Sequence, residues 1–352
     1  MKALWSDAIR NLTPYTPGEQ AVDTALIKLN TNENPYPPSP QVLQALRDAT
    51  NADLRLYPDP DGAQLRRTIA AQYGLSERHV FLGNGSDEVL AHTFLGLLKH
   101  AQPVLFPDIT YSFYPVYCAL YDIDYEALPV GADFRVEAAG YARENGGIVL
   151  PNPNAPTGLA LSLSEIRRIV AASPDSVVVV DEAYVDFGAE SAVPLVREFP
   201  NVLIAQTLSK SRSLAGLRVG YAIGDPGLID ALNTVKGCFN AYPLDSLALA
   251  GAQAAFADSE YFTTTCAAIV ADREWLTAQL TGLGFAVLPS LANFLFVHHP
   301  QHDALGLKTH LRAKNILVRH FTAPRIEDYL RITIGTHEAC EALLEALSDI
   351  VN

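Results

Sequence analysis

The sequence of 352 residues contains few cysteines, and no pattern joins them. Its four cysteines are scattered, without a C-x-x-C pair and without metal-ligand spacing to histidines; they are Cys118, Cys238, Cys266 and Cys340. This arrangement indicates neither a disulfide framework nor a zinc site. We therefore predict no metal site, and we expect the four cysteines to be buried thiols in a reducing cytoplasm.

Long apolar runs and basic clusters are also missing. No run approaches the roughly 18 apolar residues of a membrane-spanning helix, and the first ten residues lack the apolar core of an export signal. A net charge of −14, without any run rich in lysine and arginine, disfavours nucleic acid and anionic membranes as partners. We predict a cytoplasmic protein that acts on small molecules.

The length predicts two domains, because 352 residues exceed one ordinary core. Buried strand runs joined by helices predict an α/β fold. Residues 1–30 are predicted to form an extended, proline-rich arm that packs on its own chain or on a partner subunit. Residues 31–245 should form a large domain around a mainly parallel sheet, and residues 246–352 a small α+β domain. Repeats and long linkers are absent.

The stretch Thr207-Leu-Ser-Lys-Ser-Arg-Ser-Leu-Ala-Gly-Leu-Arg-Val-Gly-Tyr221 follows a β-rich apolar run. Lys210 should therefore leave the carboxyl edge of a buried strand, where open α/β sheets bind ligands. A lysine amine partly stripped of water loses its proton more readily and forms a Schiff base with an aldehyde. Ser209 and Arg218 offer donors for a phosphate. The alternative is that Lys210 and Arg218 are solvated loop charges.

Three other predicted strand ends carry candidate ligand contacts. After Phe81-Leu-Gly-Asn84, the turn at Gly85, Ser86 and Asp87 opens a helix, whose free N–H groups suit phosphate, although such turns cap many helices that bind nothing. Tyr111, after Val104-Leu-Phe106, suits stacking on a flat ring or packing in the core. The loop from Pro151 to Gly158 presents asparagine amides.

The run Val177-Val-Val-Val-Asp181 predicts a strand that is covered on both faces. Asp181 should then be strongly desolvated and should meet a cation, such as the protonated ring nitrogen of a cofactor, unless it caps the next helix. Tyr184 is placed to hold a ring oxygen. Together with the phosphate turn and Lys210, these residues favour pyridoxal phosphate as cofactor, with Lys210 moving the substrate Cα proton.

Nearly the whole chain resembles the fold-type I aminotransferases, in particular the histidinol-phosphate aminotransferase family. The motifs that carry the resemblance are, in chain order, Asn-Glu-Asn-Pro, Tyr-Pro-Asp-Pro, Gly-Asn-Gly-Ser-Asp-Glu, Pro-Thr-Gly, Asp-Glu-Ala-Tyr, Ser-Lys-(x)4-Ala-Gly-Leu-Arg-x-Gly-Tyr and Leu-Arg-Ile-Thr-Ile-Gly-Thr. The resemblance implies that residues 31–245 form the domain that binds pyridoxal phosphate. It also implies a homodimer with shared active sites.

The resemblance assigns roles to individual residues. It implies that Lys210 binds the cofactor covalently, that Asp181 pairs with the ring nitrogen and that Tyr184 bonds the ring oxygen. The other assignments are Tyr111 as the stacking ring, Gly85, Ser86, Asp87, Ser209 and Arg218 at the phosphate, Tyr57 at the cofactor of a neighbouring subunit, and Tyr15, Arg319 and Arg331 at the substrate's phosphate or carboxylate.

The sequence departs from the family pattern at two places. Ala155 stands where many relatives carry an asparagine that bonds the ring oxygen, so we assign this contact to Asn154. Beside the lysine, Arg212 and Ser213 replace an aromatic and a small residue.

The resemblance implies transamination between histidinol phosphate and 2-oxoglutarate in histidine biosynthesis. An aromatic amino-acid aminotransferase and a decarboxylase acting on phosphothreonine are alternatives. A catalytically idle protein that binds the cofactor to regulate a partner is a third, which the intact Lys210 disfavours.

Overall fold

The computed structural model describes residues 4–16, 18–20 and 26–351. Its helices are α1 Pro40–Ala49, α2 Ala63–Gln72, α3 Gly85–Leu97, α4 Tyr114–Tyr121, α5 Leu163–Ala172, α6 Pro226–Phe239, α7 Ser246–Ala257, α8 Ser259–Gly282, α9 Ala304–Ala313 and α10 His337–Val351. Its strands are β1 Ile27–Leu29, β2 Val80–Asn84, β3 Val104–Pro107, β4 Tyr125–Leu128, β5 Gly147–Pro151, β6 Val178–Asp181, β7 Val202–Thr207, β8 Val219–Gly224, β9 Ala286–Val287, β10 Phe294–His298, β11 Ile316–His320 and β12 Tyr329–Thr333.

Seven strands form the large sheet, in the order β2-β8-β7-β6-β5-β3-β4. Neighbouring strands are parallel except at β8, which runs antiparallel to both β2 and β7. Every residue of β5, β6 and β7 is buried, as expected for strands that are covered on both faces. The prediction of a mainly parallel central sheet is confirmed.

Local capping sets where helices begin. The hydroxyl of Ser39 accepts a hydrogen bond from the Val42 N–H, and Pro40 occupies the first turn of α1. Ser162 and Glu165 form a capping box at the start of α5. α5 returns the chain between β5 and β6, so these two parallel strands end at the same edge of the sheet.

Five strands form the small sheet, in the order β1-β11-β12-β10-β9. β1 lies within the predicted N-terminal arm, yet it pairs in parallel with β11 of the C-terminal third. The arm therefore packs on its own chain at this point. β9 has only two residues, because Gly284, with a φ of +89°, turns the chain just before it. The domain boundaries at residues 30 and 245 stay predictions.

Three of the four cysteines are buried, as expected, but Cys238 is exposed. It lies at the end of α6, where Gly237 and Phe239 also face solvent. In the part of the chain that the structure describes, no helix combines the length and the apolar character needed to cross a membrane.

Candidate active site

A cleft of about 530 Å³ lies between the carboxyl edge of the large sheet and the face of the small sheet. It forms there because parallel strands end at one edge and bring the following residues together. The predicted site residues that line the cleft are Tyr15, Ser86, Asp87, Tyr111, Asp181, Tyr184, Ser209, Lys210, Arg218, Arg319 and Arg331.

Lys210 reaches the cleft from the loop after β7. Its Nζ donates to the backbone carbonyl of Thr31 at 3.2 Å and lies 5.7 Å from the centre of the Tyr184 ring. Among the described residues, no carboxylate lies within ion-pair distance of this amine. The amine is thus held by a neutral acceptor and remains available to an aldehyde.

Asp181 ends β6 and is only 6% exposed. Its Oδ2 accepts a hydrogen bond from the Tyr114 hydroxyl at 2.8 Å, and its Oδ1 accepts one from the Ala183 N–H at 3.3 Å. Burial nevertheless raises the pKa of Asp181 from 3.8 to about 6. The described part of the chain supplies no cation to this carboxylate. A cationic group on a ligand would relieve the cost of its burial.

The first turn of α3 and Arg218 form one end of the cleft. Gly85 has a φ of +75°, and a Cβ at this position would collide with the Arg218 guanidinium. Gly85 thus permits a close approach but does not itself line the cleft. Arg218 Nη2 donates to Asp87 Oδ2 at 3.0 Å, and its Nη1 donates to Ser209 Oγ at 3.4 Å. The N–H groups in a first helical turn lack intrahelical partners and therefore suit an anion.

Arg319 and Arg331 lie opposite each other on β11 and β12. Arg331 Nη2 donates to the Asn30 carbonyl at 2.9 Å, while its Nε is buried without a partner among the described residues. Burial, with the charge of Arg319 beside it, lowers the pKa of Arg331. Within the described ranges no carboxylate is in ion-pair distance of either guanidinium. Two adjacent cations without a counter-charge form a site for an anion.

Aromatic side chains form another wall of the cleft. The Tyr15 ring lies 4.9 Å from the ring of Phe113 and 6.2 Å from that of Tyr111. The Tyr111 hydroxyl donates to Asp87 Oδ1 at 3.3 Å. Burial, together with the Asp87 charge, raises the pKa of Tyr111 far above its ordinary value. The phenol therefore stays neutral and offers its ring face.

The structure corrects the role that the sequence suggested for Asn154. Its Nδ2 donates to the Ile109 carbonyl at 2.9 Å and to Thr157 Oγ1 at 3.2 Å, both inside the protein. Ala155, not Asn154, lines the cleft. The amide is turned away from the cleft because it joins its own loop, at Thr157, to the segment after β3, at Ile109.

Tyr57 also lies outside the cleft. Its side chain is 81% exposed, and its ring stacks on that of Tyr242 at 4.7 Å. The predicted contact with the cofactor of a neighbouring subunit stays a prediction.

Sequence reasoning assigned no site role to the run Asn30–Asn34, which contains most of the Asn-Glu-Asn-Pro motif. The Asn30 carbonyl accepts from Arg331, the Thr31 carbonyl accepts from Lys210, and Asn32 donates to Tyr184. Asn34 Nδ2 donates to the Lys210 carbonyl at 3.0 Å. The available signal was five polar residues in succession, between the end of β1 and a proline.

The unusual Arg212 is a packing residue beside the site. Its guanidinium lies 4.1 Å from the centres of the Phe256 and Phe262 rings, and it donates to the Ala255 carbonyl at 2.6 Å. The two rings and the carbonyl hold the guanidinium away from the cleft lining.

Residues 24–347 match the family model "Aminotransferase class I and II". The chain is 58% identical over 350 residues to histidinol-phosphate aminotransferase 1 of Pseudomonas fluorescens (strain Pf0-1), covering 99% of this chain and 100% of the relative. It is also 58% identical over 355 residues to the histidinol-phosphate aminotransferase of Aromatoleum aromaticum, covering 100% of each.

Among solved structures, the chain is similar to the histidinol-phosphate aminotransferase of Sinorhizobium meliloti in complex with pyridoxal-5'-phosphate. The TM-score is 0.84 at 26% identity, and the match covers 92% of this chain and 90% of that one.

Proposed function

This chain belongs to the class I and II aminotransferase family, and we propose that it transfers an amino group between histidinol phosphate and 2-oxoglutarate, with pyridoxal phosphate as cofactor. This activity would place it in histidine biosynthesis. The names of the full-length relatives support the substrate. The observation that carries the proposal is a single cleft that contains Lys210, the buried Asp181 and two arginines to which the described residues supply no counter-charge.

The residues of the cleft fit pyridoxal phosphate. Asp181 is a buried acid that lacks a cation in the described chain, and the cofactor ring carries a nitrogen that can be protonated. Gly85 lets the Arg218 guanidinium lie against the start of α3, so that the arginine and the helix N–H groups can face one phosphate. We assign the phosphate to the N–H groups of Ser86 and Asp87 with Ser209 and Arg218, the ring to Tyr111, Asp181 and Tyr184, and the aldehyde carbon to Lys210.

When bound, pyridoxal phosphate supplies an aldehyde and an electron-withdrawing ring that acidifies the substrate Cα–H. Asp181 would keep the ring nitrogen protonated, because a buried carboxylate is stabilised by a cation. Lys210, whose Nζ rests on the Thr31 carbonyl, would take the Cα proton as a general base and, as a general acid, would deliver it to the cofactor carbon to which Lys210 is first joined. Tyr184 would donate a hydrogen bond from its hydroxyl to the ring oxygen.

Arg319 and Arg331 bind the anionic end of the substrate. Their guanidiniums attract the phosphate of histidinol phosphate in one half-reaction and the distal carboxylate of glutamate or 2-oxoglutarate in the other. Tyr15 lines the same cleft and adds a hydroxyl donor. The site thus accepts two different anions in alternation.

Single-turnover spectroscopy tests the substrate. The cofactor-loaded protein is mixed with histidinol phosphate, phenylalanine or phosphothreonine, and conversion to the pyridoxamine form is followed by absorbance. We expect histidinol phosphate to react at least about tenfold faster than phenylalanine, because only a substrate with a matching anion satisfies the half-buried Arg319 and Arg331. A faster reaction with phenylalanine, or carbon dioxide released from phosphothreonine, would contradict the proposed substrate.

Borohydride reduction tests the cofactor linkage. In the wild-type protein it should fix pyridoxal phosphate to Lys210, whereas Lys210→Ala should bind cofactor that borohydride cannot trap. Trapped cofactor in the variant would rule out Lys210 as the attachment point.

We also propose that two copies of the chain form a cytoplasmic dimer with shared sites, in which Tyr57 of the partner subunit contacts the cofactor. The four free cysteines support a reducing compartment. Large apolar side chains at the surface support an interface; they are Leu54, Leu56, Tyr57, Phe239 and Tyr242, with 48%, 51%, 81%, 75% and 42% exposure.

Hybrid dimers test the sharing of sites. Tyr57→Ala should weaken cofactor binding about tenfold, since one hydrogen bond to a charged group is lost. Mixing Tyr57→Ala chains with Lys210→Ala chains should restore one intact site per hybrid, with turnover above that of either variant alone. A protein that sediments as a monomer and is fully active in an assay would contradict the proposed dimer.

A further inference from the structure

We propose that Asn32 is a positioning residue for Tyr184: its side-chain amide fixes the phenol so that the Tyr184 O–H points towards the ring oxygen of the cofactor. This inference rests on the proposed cofactor and adds a residue to its site. Asn32 lines the cleft, is only 1% exposed, and places its Nδ2 3.0 Å from the Tyr184 hydroxyl oxygen.

Thr333 on β12 determines which way the amide of Asn32 faces. The Asn32 backbone N–H donates to Thr333 Oγ1 at 2.9 Å, and the same hydroxyl gives its single proton to Asn32 Oδ1 at 3.0 Å. Because Oδ1 must accept this proton, Nδ2 is left to face Tyr184. Asn293 Nδ2 holds the Asn32 carbonyl at 3.0 Å. Each polar group of Asn32 therefore has a partner.

The backbone of Asn32 also favours asparagine at this position. Its φ is +57°, in the left-handed region that asparagine, aspartate and glycine occupy most readily. Of these three, only asparagine brings an N–H donor to Tyr184. The conformation and the side-chain chemistry thus require the same residue type.

The hydrogen bond from Asn32 directs the proton of Tyr184. Since the hydroxyl oxygen accepts from Nδ2, its own proton must point elsewhere, and the phenol lines the cleft. The ring cannot turn freely, because it makes an edge contact with Phe294 at 5.1 Å and packs against Ala155. Accepting one hydrogen bond also makes a hydroxyl a stronger donor of the next.

On the side of the cleft lined by Ala155, the contact to the ring oxygen depends strongly on the Tyr184 hydroxyl. Ala155 offers only a methyl group, and the Asn154 amide is already used by Ile109 and Thr157. Tyr184 therefore carries the contact to the ring oxygen that an amide at residue 155 would otherwise share. Because Thr333 lies on the small sheet and Tyr184 follows a strand of the large sheet, Asn32 also joins the two sheets at the site.

The visible absorption of the Lys210-bound cofactor tests this role. A donor to the ring oxygen draws electron density from it, so losing that donor raises the pH at which the absorption changes. The spectra of wild type, Asn32→Asp, Tyr184→Phe and the double variant are titrated with pH. Aspartate keeps the size of asparagine and tolerates the positive φ, but it cannot donate to Tyr184.

We expect each single variant to raise the midpoint by about one pH unit, and the double variant to titrate like Tyr184→Phe alone. A further shift in the double variant would mean that residue 32 acts directly on the cofactor, and it would overturn the positioning role. Introducing Asn32→Asp into the Tyr184→Phe variant thus controls for a direct effect of the introduced carboxylate on the cofactor.

Thr333→Val provides a second variant if Asn32→Asp fails to fold. It removes the hydroxyl that sets the amide, so the midpoint should rise by a smaller amount, and pyridoxal phosphate added to the cofactor-free protein should bind a few-fold more weakly. An unshifted midpoint in the folded variants would overturn this inference and leave the proposed function intact. A wild-type protein that takes up no pyridoxal phosphate would overturn both.

Discussion

Arg218 and Arg331 line the same cleft, but the protein treats their charges differently. Arg218, at the edge of the large sheet, is held by Asp87 at 3.0 Å and by Ser209 at 3.4 Å. Arg331, on the small sheet, lies beside Arg319, and the described residues place no carboxylate against either. Arg218 therefore has a counter-charge, that of Asp87, before any ligand binds, whereas the described residues give Arg331 none.

The different surroundings of Arg218 and Arg331 suit two kinds of anion: one that stays bound and one that is exchanged. A phosphate that stays bound is best served by donors already held in place, because little ordering remains to be done when it arrives. An anion that enters and leaves in each half-reaction is instead attracted by a charge that lacks a partner. The large-sheet end thus suits the cofactor, and the small-sheet end suits the substrate.

The largest effect should follow a change at the large-sheet end. Asp181→Ala should still bind pyridoxal phosphate but turn over about 10³-fold more slowly, because the ring nitrogen loses its counter-charge. Steady-state kinetics on protein with a measured cofactor content would check this. Near-normal turnover would remove Asp181 from the mechanism.

A smaller effect is expected at the small-sheet end. Arg331→Lys keeps the charge but loses the planar fork, so the KM for histidinol phosphate should rise about 100-fold, with cofactor affinity unchanged. Parallel measurements of KM and of cofactor Kd test the division of labour. If Arg331→Lys instead weakened cofactor binding, the assignment of Arg331 to the substrate and Arg218 to the cofactor would be wrong.

The matching change at the large-sheet end should be weaker. Arg218→Lys should raise the Kd of pyridoxal phosphate about tenfold, because Ser209 and the N–H groups of Ser86 and Asp87 remain as donors. The KM for the substrate should change little at saturating cofactor. Equilibrium dialysis and kinetics separate the two, and an effect on KM alone would reverse our assignment.

The smallest effect on turnover is expected for a change at Glu182, which follows Asp181 in the sequence. Glu182 is buried, accepts hydrogen bonds from Gln206 and Ser191, and has its pKa raised by burial to about 7. The unfolded state keeps the ordinary value of 4.5. The stability contributed by the protonated form is therefore fully present below that pH and is lost as pH rises through about 7.

Glu182→Gln removes the titrating carboxyl group, although its amide nitrogen cannot accept the hydrogen bonds that the Glu182 oxygens receive from Ala192, Gln206 and Ser191. The unfolding temperature of this variant should therefore change less between pH 5 and pH 8 than that of wild type, with turnover within about twofold of wild type. Thermal unfolding across this pH range checks the prediction. An equal change in both proteins would mean that Glu182 does not titrate there, and a large loss of turnover would make it part of the site.

Local patterns were enough to find much of the cleft. Asp181 ends a run of valines, and Lys210 follows another apolar run, so the alternation of strand and helix already placed both at one edge of a parallel sheet. Asn154 was assigned by resemblance, because a proline-rich loop does not reveal which way its amides face. The structure shows that its amide donates to the Ile109 carbonyl and to Thr157 Oγ1 instead of facing the cleft.

The sequence by itself determined the strands, their carboxyl ends and the types of side chain placed there, because periodicity and capping act over a few neighbouring residues. Only the tertiary structure decided which polar groups remain free for a ligand. Asn32 meets Thr333, 301 residues later, and Arg319 meets Arg331 across two strands. Hydrogen bonds and charges are satisfied through space, so the polar balance of the cleft depends on contacts between distant parts of the chain.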